Sequence, residues 1–550
     1  MMMLRPLQMV FVSGALAVQI FTQSLAWQAR YHPALGRPVT TLHLGPSLHG
    51  VYWPWQGGVW AWHWGRAAMP TMCRAGTLAL LPVLGAGLLY RRQYGADGGT
   101  GPPPMTGHGS TTWATRRDVT AAGLTARRGI IVGQWGRRGP ILRYDGEENI
   151  LVVGPQRSGK GTGMFIPTLL EMEGHTITVD VRGETHAATA AYRATKSRVL
   201  RLAITQRGSA RFNLLQEVRR GTDHAFFDAA VLADMLVNPG GGLEHRDHWD
   251  KTAQALITCG ILYEVHKRAI PTLAHMTSFW SHPGRSLEAT LQYVLETAPH
   301  AAVAELAQEV LNKSPNERSG VLSSMMTQLF VFRDPVVAEN TASSDFRLAD
   351  FTRHDRWVSL YLVQSPEEEE HVRPFLRCFL RLAMGRWLEM SEHKHAITLL
   401  LDEFTSYGKI SFYAENLAYL GGRGIRSVLA VQNVPQLRDT YGHADTILEH
   451  CKIRVFYSAN GQTTGDEISR QTGTGTATTV QASWRYEPGR LLQAHSQQAH
   501  LHARPLLTAA ESMQIPPDIA VIQVASHAPI WARKVRFWEH RRWYARSRMR

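Results

Sequence analysis

The feature that most constrains the fold of this 550-residue chain is a glycine-rich turn that follows a short apolar run. Residues 150–153 are branched and apolar, and the pattern Gly-x4-Gly-Lys then begins at Gly154 and ends at Lys160. This order is typical of a P-loop, in which a strand leads into a backbone curl whose N–H groups bind phosphate. Glycines permit the curl because they lack a Cβ atom. The sequence predicts a nucleotide site here, with an ordinary glycine-rich strand–helix turn as the alternative.

The residues of this loop are candidate ligands for the phosphates of ATP. Lys160 is expected to reach the β- and γ-phosphates, and the positive end of the helix that should follow favours the same anion. The loop departs from the common pattern at Gly161, where a Ser or Thr hydroxyl usually joins the Mg²⁺ shell, so Thr162 becomes the candidate for that role. The predicted cofactor-binding residues are Gly154, Pro155, Gln156, Arg157, Ser158, Gly159, Lys160, Gly161 and Thr162.

Short apolar runs that alternate with helical stretches predict an α/β fold with a mostly parallel sheet covered on both faces. Residues 217–340 differ, because they show helical periodicity and no convincing strand. We therefore expect an all-α domain inserted into the α/β core. The predicted strands are Thr176–Val181, Val199–Leu202, Val358–Val363, Ile397–Leu401, Ser427–Val431, Ile453–Tyr457 and Ala520–Val524.

One of these strands ends in the pair Asp402-Glu403, about 240 residues after Lys160. A carboxylate at the end of a buried strand is suited to holding Mg²⁺, and this is the role expected of Asp402. Glu403 is the candidate general base that orients the attacking water. Alone, such a pair is often a helix N-cap. Together with the P-loop it indicates a site for nucleotide hydrolysis.

Two further features follow along the chain. Gln432 comes at the tip of the strand 427–431 and is a candidate for sensing the γ-phosphate or positioning water, with a simple strand-end hydrogen bond as the alternative. Arg423 or Arg426 is a candidate arginine finger that enters the site of a neighbouring subunit. The alternative is that both are ordinary surface arginines.

The N-terminal region is predicted to be a membrane anchor of two transmembrane helices, about 7–27 and 67–90. The first stretch is uncharged and long enough to cross a bilayer, although a signal peptide is the rival interpretation. Five tryptophans in 53–64 suit the headgroup region of a membrane, or alternatively a small packed aromatic subdomain. Because the P-loop needs cytoplasmic ATP, both termini and the bulk of the chain are expected in the cytoplasm.

Composition supports an anionic partner. The formal net charge is +14, from 59 basic and 45 acidic residues, which favours nucleic acid, anionic lipid or nucleotides. The last stretch, 533–550, has eight basic residues and one acid interleaved with aromatics, which suits nucleic acid or lipid, with a solvated tail as the alternative. The four cysteines are far apart, which argues against a disulfide scaffold or zinc ribbon.

Several motifs together give the chain a resemblance to the type IV secretion coupling proteins, the TraG-like conjugative ATPases. The resemblance covers roughly 108–532, and a glycine at the position of Gly161 is usual in that family. The chain departs from the family pattern at Arg182, where lysine is usual, and at Leu214, where proline is usual. The stretches that carry the resemblance are 154–163, 180–184, 212–215, 317–324, 332–335, 340–345, 400–404 and 431–433.

The resemblance implies a RecA-like motor, a two-helix anchor in the bacterial inner membrane, and a ring of six copies. It also implies the task of receiving relaxase-bound single-stranded DNA or protein effectors and passing them to a type IV secretion channel. Two alternatives stay open: a nucleotide-gated scaffold, and a DNA translocase of the FtsK type, for which too few residues follow Ala532 to form a winged-helix module. The expected divisions are 1–92 (anchor), 93–112 (linker), 113–216 and 341–532 (motor), 217–340 (all-α domain) and 533–550 (basic tail).

Overall fold

The computed structural model divides the chain into two units, residues 1–101 and 102–550. The residues that the structure describes are 6–44, 47–64, 73, 75, 77, 79–80, 111–237, 248–353, 356–390, 395–442, 446–485 and 494–549.

The first unit contains a small aromatic core. Its elements are the helix α1 (Pro6–Gln28), the antiparallel hairpin β1 (Thr40–Leu44) and β2 (Ser47–Val51), and the helix α2 (Gln56–Trp64). Tyr52 and Trp60 are buried with Leu25 and Leu35, and the two aromatic rings meet edge to face at 5.0 Å. The tryptophan-rich stretch is therefore in part a packed aromatic subdomain, which was the alternative to a headgroup segment.

The predicted transmembrane stretch 7–27 lies within α1, where polar side chains make specific contacts. Gln19 and Gln23 both donate hydrogen bonds to the carbonyl of Tyr52, at 3.2 and 3.0 Å. Among the residues that the structure describes, no helix combines the length and the apolar character needed to cross a membrane. The predicted two-helix anchor is thus not supported, and most of its second stretch, 67–90, lies outside the described residues.

Eleven strands of the second unit form one sheet in the described part of the chain. The strands are β3 (Ile130–Gln134), β4 (Ile141–Tyr144), β5 (Ile150–Val153), β6 (His175–Val181), β7 (Ser197–Leu202), β8 (Trp357–Gln364), β9 (Ile397–Leu401), β10 (Ile425–Val431), β11 (Ile453–Phe456), β14 (Ile519–Val524) and β15 (Ile530–Arg533). Their order is β4-β3-β15-β14-β11-β5-β10-β9-β6-β8-β7, and neighbours run parallel from β11 to β7 and antiparallel from β4 to β11. The prediction of a mostly parallel α/β sheet is confirmed.

The central strands β5, β9 and β10 are buried along their whole length, as expected for strands covered on both faces. A separate antiparallel hairpin is formed by β12 (Thr474–Arg485) and β13 (Ala494–Pro505). The helices that accompany the sheet are α3 (Arg116–Ala121), α4 (Ile166–Leu169), α5 (Glu184–Ala194), α13 (Asp350–Arg353), α14 (Glu369–Glu389), α15 (Ser411–Leu420), α16 (Val434–Tyr441), α17 (Thr446–His450), α18 (Gln462–Thr472), α19 (Ala509–Met513) and α20 (Arg541–Ser547).

The predicted all-α segment, 217–340, contains helices and no strand among its described residues. The helices are α6 (Ala225–Val237), α7 (His248–Lys267), α8 (Leu273–Trp280), α9 (Leu287–Glu296), α10 (Ala301–Leu311), α11 (Pro315–Gln328) and α12 (Pro335–Asn340). The long helix α7 is the centre of this segment: residues 256–262 are buried on every side, because α6, α10 and α11 pack against it.

The basic C-terminal segment packs against the sheet unit. Trp543 in α20 is 3% exposed and belongs to a cluster with Ile166 and Leu170. Ile166 begins α4, the helix that follows the P-loop, and Leu170 comes directly after it. The guanidinium of Arg546 lies over the ring of Tyr192, 4.4 Å from its centroid. A wholly solvated tail is therefore the wrong interpretation for residues 533–549.

Candidate nucleotide-binding site

The predicted P-loop lies in the middle of the sheet. The strand β5 lies between β11 and β10, and residues 154–160 leave its carboxyl end. A π-helical turn, Gly161–Phe165, then leads into α4. Ligands of open α/β sheets bind at the carboxyl ends of the strands, so this loop has the expected position.

Two glycines of the loop are required by its path. A Cβ atom at Gly154 would lie 2.8 Å from Ser158 Oγ and 3.0 Å from the Cβ atom of Tyr457. Gly159 has a φ of +93°, which side-chain-bearing residues rarely adopt. The amide of Gly154 donates to the carbonyl of Val431 at 3.0 Å, which ties the loop to the end of β10.

Lys160 lies between its own loop and the predicted catalytic carboxylate. Its Nζ donates to the carbonyls of Gly154 at 2.7 Å and Pro155 at 3.2 Å. The same nitrogen is 3.8 Å from Glu403 Oε1. The side chain is 6% exposed, so this positive charge acts in a weakly screened environment.

Asp402 and Glu403 follow β9, two strands from β5. Burial and, to a smaller extent, the negative charge of Glu403 raise the pKa of the Asp402 carboxyl to about 6, although the positive charge of Lys160 opposes the shift. Glu403 has a φ of +49°, and its amide donates to Asp402 Oδ1 at 3.1 Å. This left-handed backbone turns the Glu403 side chain toward the P-loop lysine, since the two are 3.8 Å apart.

Gln432 also reaches this site. Its Nε2 donates to Glu403 Oε2 at 2.9 Å. The structure thus brings together Lys160, Glu403 and Gln432, three residues that the sequence assigns to catalysis. Gln432 makes a hydrogen bond to the carboxylate of the candidate base, so its side chain faces the predicted site, and its role there stays a prediction.

Asp180, at the end of β6, is a buried carboxylate on the same side of the sheet. It accepts hydrogen bonds from the amides of Thr185 at 3.3 Å and His186 at 2.7 Å, which fixes the start of α5. Burial raises its pKa although these bonds oppose the shift. Its negative charge in turn contributes to the raised pKa of Asp402.

The loop has the polar groups that a nucleotide and Mg²⁺ need. Ser158 Oγ is buried and has no hydrogen-bond partner in the described structure, and Thr162 Oγ1 makes only a long contact of 3.4 Å to the Gly159 carbonyl. A Cβ atom at Gly161 would meet open space. Among the described residues, no group of three or more His, Cys, Asp or Glu side chains is arranged for a metal. Mg²⁺ at P-loops uses one or two protein ligands and substrate phosphates, so Asp402 and Thr162 stay the candidate ligands.

The two candidate arginines differ in environment. Arg423 is exposed in the turn Gly421–Arg423, before the amino end of β10, and donates to the Met390 carbonyl at 3.0 Å. It lies one strand length, about 20 Å, from the end of β10 where Gln432 stands, so within one chain it does not serve this site. Arg426 is 7% exposed and donates to Thr398 Oγ1 at 3.0 Å and to the Gly146 carbonyl at 3.1 Å. The finger hypothesis for Arg426 is therefore wrong, because the side chain is a buried structural group.

Sequence reasoning missed one residue of the site. Lys534 follows β15 and its Nζ donates to the carbonyl of Ser158 at 3.3 Å. The same nitrogen lies 3.9 Å from the centroid of the Tyr457 ring. No local pattern signals this contact, because Lys534 and Ser158 are 376 residues apart and meet only in the folded sheet.

These elements define the class of protein: a P-loop NTPase with an acidic pair opposite its phosphate-binding loop. A family described as "Type IV secretory system Conjugative DNA transfer" matches residues 112–549. The chain is 32% identical over 546 residues to the conjugal transfer protein TraG of Escherichia coli, with 91% of this chain and 84% of TraG covered. It is 26% identical to the VirD4 protein of Agrobacterium fabrum, with 79% and 66% covered. The chain therefore belongs to this conjugative DNA transfer family and is a coupling protein of type IV secretion, which confirms the resemblance.

The fold has solved relatives. The plasmid coupling protein TrwB in complex with ADP and Mg²⁺ aligns with a TM-score of 0.58 at 16% sequence identity, covering 80% of this chain and 95% of TrwB. TrwB in complex with the non-hydrolysable analogue ADPNP aligns with a TM-score of 0.59 at 17% identity. This likeness concerns the fold, and it agrees with the α/β NTPase architecture described above.

Proposed function

We propose that the chain binds ATP with Mg²⁺ at 154–162 and hydrolyses it to drive conjugative DNA transfer. The observation that carries this proposal is the position of Glu403, with one carboxylate oxygen 3.8 Å from Lys160 and the other hydrogen-bonded to Gln432. A P-loop lysine next to a carboxylate suits phosphoryl transfer, because it neutralises charge on the phosphates while the carboxylate activates water.

Each residue of the site has a distinct task in hydrolysis. Lys160 contacts the β- and γ-phosphates when its side chain leaves the carbonyls of its own loop. Glu403 accepts a proton from the attacking water, and Gln432 holds that carboxylate in place and presents its amide to the γ-phosphate side. Asp402 and Thr162 would hold Mg²⁺, which supplies positive charge to the triphosphate. The solved complexes of TrwB with ADP and Mg²⁺ and with ADPNP support the binding of a nucleotide and Mg²⁺.

We further propose that hydrolysis delivers relaxase-bound single-stranded DNA, protein effectors, or both to a type IV secretion channel. Membership of the conjugative DNA transfer family and the net charge of +14 support an anionic cargo. A homo-hexamer is the proposed working form, in which Arg423 of one subunit reaches the site of the next. The exposure of the Arg423 side chain supports a role as an arginine finger between subunits.

The proposed location is the bacterial inner membrane, with the first unit at the lipid and the bulk of the chain in the cytoplasm. Three tryptophans of the first unit have exposed side chains: Trp53 is 49% exposed, Trp55 60% and Trp62 86%. Exposed tryptophan is favoured at the membrane–water interface. Membrane fractionation of the full chain beside the fragment 102–550 tests this location, which is contradicted if both are equally soluble.

The first experiment on function is the ATP hydrolysis rate of the detergent-purified full chain, with and without single-stranded DNA. The variants are Lys160→Ala and, as a matched control, Lys251→Ala, which removes an exposed lysine from α7. We expect turnover that DNA stimulates, that Lys160→Ala abolishes and that the control retains. Equal turnover in both variants would contradict the site assignment. Turnover indifferent to DNA would favour protein effectors as the cargo.

A further inference from the structure

Lys534 joins the C-terminal segment to the P-loop. Its backbone N–H donates to the carbonyl of Asp518 at 2.7 Å, directly after β15. Its side chain is 7% exposed and reaches the Ser158 carbonyl across the face of the Tyr457 ring. The position of the amine is thus fixed from three directions.

A buried ammonium is costly unless an anion compensates it. In the described part of the chain, no carboxylate oxygen lies within ion-pair distance, 4.0 Å, of Lys534 Nζ, whereas Lys160 has Glu403 at 3.8 Å. The Tyr457 ring and one carbonyl offset only part of this cost. A cation of this kind beside a phosphate-binding loop indicates that the bound phosphates are its missing counter-charge.

The contact also acts on the geometry of the loop. The Ser158 carbonyl and the Gly159 N–H belong to one planar trans peptide, so they point in opposite directions. When Lys534 holds the carbonyl on the outside of the loop, the N–H points to the inside, where phosphate binds. A charged donor on the carbonyl polarises the peptide and strengthens the N–H as a donor.

We propose that Lys534 is a positioning residue of the nucleotide site, which fixes the Ser158–Gly159 peptide for phosphate binding and adds a positive charge behind it. This inference deepens the proposed ATP site and rests on it. It assigns residues 534–546 to the nucleotide-binding unit, where the sequence alone indicated a basic tail for DNA or lipid.

The rest of the segment holds Lys534 in place along the P-loop helix. The carbonyl of Val535 packs so closely on Gly163 that a Cβ atom there would lie 2.8 Å from the oxygen. Trp543 is buried beside Ile166, and Arg546 donates to the carbonyl of Leu170. The segment therefore contacts the loop, the first turn and the end of the same helix.

The charge state of Lys534 gives the proposal a signature. Burial, together with the positive charges of Arg536 and Lys160, lowers the pKa of its amine to about 8, although the negative charge of Asp518 opposes the shift. Tyr457, the other titratable group that faces it, has a pKa raised by burial and stays neutral in this range. Because the charged amine favours the anion, nucleotide affinity should be high at pH 7 and fall as the pH rises through 8. Phosphate itself titrates near pH 6, below this window.

The test measures binding of a fluorescent ADP to the detergent-purified full chain, with Mg²⁺, from pH 7.0 to 9.5. The variants are Lys534→Met, Lys534→Arg and the control Arg542→Met, which removes an exposed charge from the same segment. At pH 7.0 we expect Lys534→Met to weaken binding about tenfold, as for loss of a charge-assisted hydrogen bond, and Arg542→Met to leave it unchanged. The wild type should lose about tenfold in affinity over this pH range, whereas Lys534→Arg, charged throughout, should bind well with a flat profile.

The outcomes separate this inference from the proposed ATP site. No binding by the wild type at any pH overturns both. Binding by the wild type with equal affinity and an equal pH profile in Lys534→Met and Arg542→Met overturns the inference alone. If Lys534→Met does not fold, as judged by circular dichroism, the comparison of wild type and Lys534→Arg decides: parallel pH profiles overturn the inference, and a flat Lys534→Arg profile supports it.

Discussion

Gln432 donates a 2.9 Å hydrogen bond to Glu403, and so joins the ends of two neighbouring strands beside the P-loop lysine. Glu403 belongs to the turn after β9, and Gln432 follows β10. The other oxygen of the Glu403 carboxylate faces Lys160 from the third strand, β5. One carboxylate therefore contacts groups that follow two other strands, β10 and β5, which fixes its orientation more firmly than either contact alone.

Glu403→Gln should retain nucleotide binding and lose hydrolysis. The amide has the shape of the carboxylate but cannot accept the proton of water, and general base catalysis contributes about 10²–10⁴-fold to rate. We expect kcat to fall by at least about 100-fold while the affinity for fluorescent ADP stays within about threefold. Measurement of both on one preparation checks this, and a parental kcat would show that Glu403 is not the base.

Gln432→Ala should lower kcat more than it raises KM. The substitution frees one oxygen of Glu403 without removing the base, so we expect a loss of about tenfold in kcat, near the value of one charge-assisted hydrogen bond. Gln514→Ala, at an exposed helix end, is the control. An unchanged kcat in Gln432→Ala would show that the hydrogen bond between Gln432 and Glu403 does not contribute to catalysis.

Asp402→Asn should stabilise the nucleotide-free protein at neutral pH and abolish Mg²⁺-dependent hydrolysis. The folded pKa of Asp402, about 6, is above the usual value near 4, so ionisation costs folding free energy as the pH rises from about 4 to 6. The gain in Tm from Asn should be largest at pH 7 and above and shrink toward pH 4. Paired thermal melts across this range test the sign, and a gain that grows on acidification would contradict it.

Arg423→Ala and Arg426→Ala should fail in different ways. Arg426 is buried with hydrogen bonds to Thr398 and Gly146, so its loss leaves unsatisfied groups and should lower Tm by several degrees. Arg423 is exposed, so its loss should leave Tm unchanged. If it acts as a finger between subunits, Arg423→Ala lowers hydrolysis in the oligomer at unchanged nucleotide affinity. Normal hydrolysis in that variant would remove the finger role.

The loop and the acidic pair were predictable because each is encoded in a few consecutive residues. The strands that precede Gly154 and Asp402, β5 and β9, are apolar and buried as expected, and the parallel sheet brings their carboxyl ends together. Burial of Arg426 and the contact of Lys534 with Ser158 were not predictable, because they depend on partners far away in sequence. The contacts of the apolar stretch 7–27 were not predictable for the same reason. Gln19 and Gln23 donate hydrogen bonds to the distant Tyr52 carbonyl, and hydrophobic periodicity does not reveal such contacts.

Gly163→Ala should detach the C-terminal segment from the P-loop helix. A Cβ atom at this position would lie 2.8 Å from the Val535 carbonyl, a backbone atom that cannot move without displacing the segment. Such overpacking costs about 1–3 kcal/mol, so we expect a lower Tm and faster proteolytic cleavage within 534–549. Gly422→Ala is the matched control, because a Cβ atom there meets nothing within 4 Å. Since Lys534 adjoins Val535, the displaced segment should also weaken ADP binding in Gly163→Ala and not in the control. Tight ADP binding by a variant whose segment is cleaved rapidly would show that the loop holds its shape without Lys534.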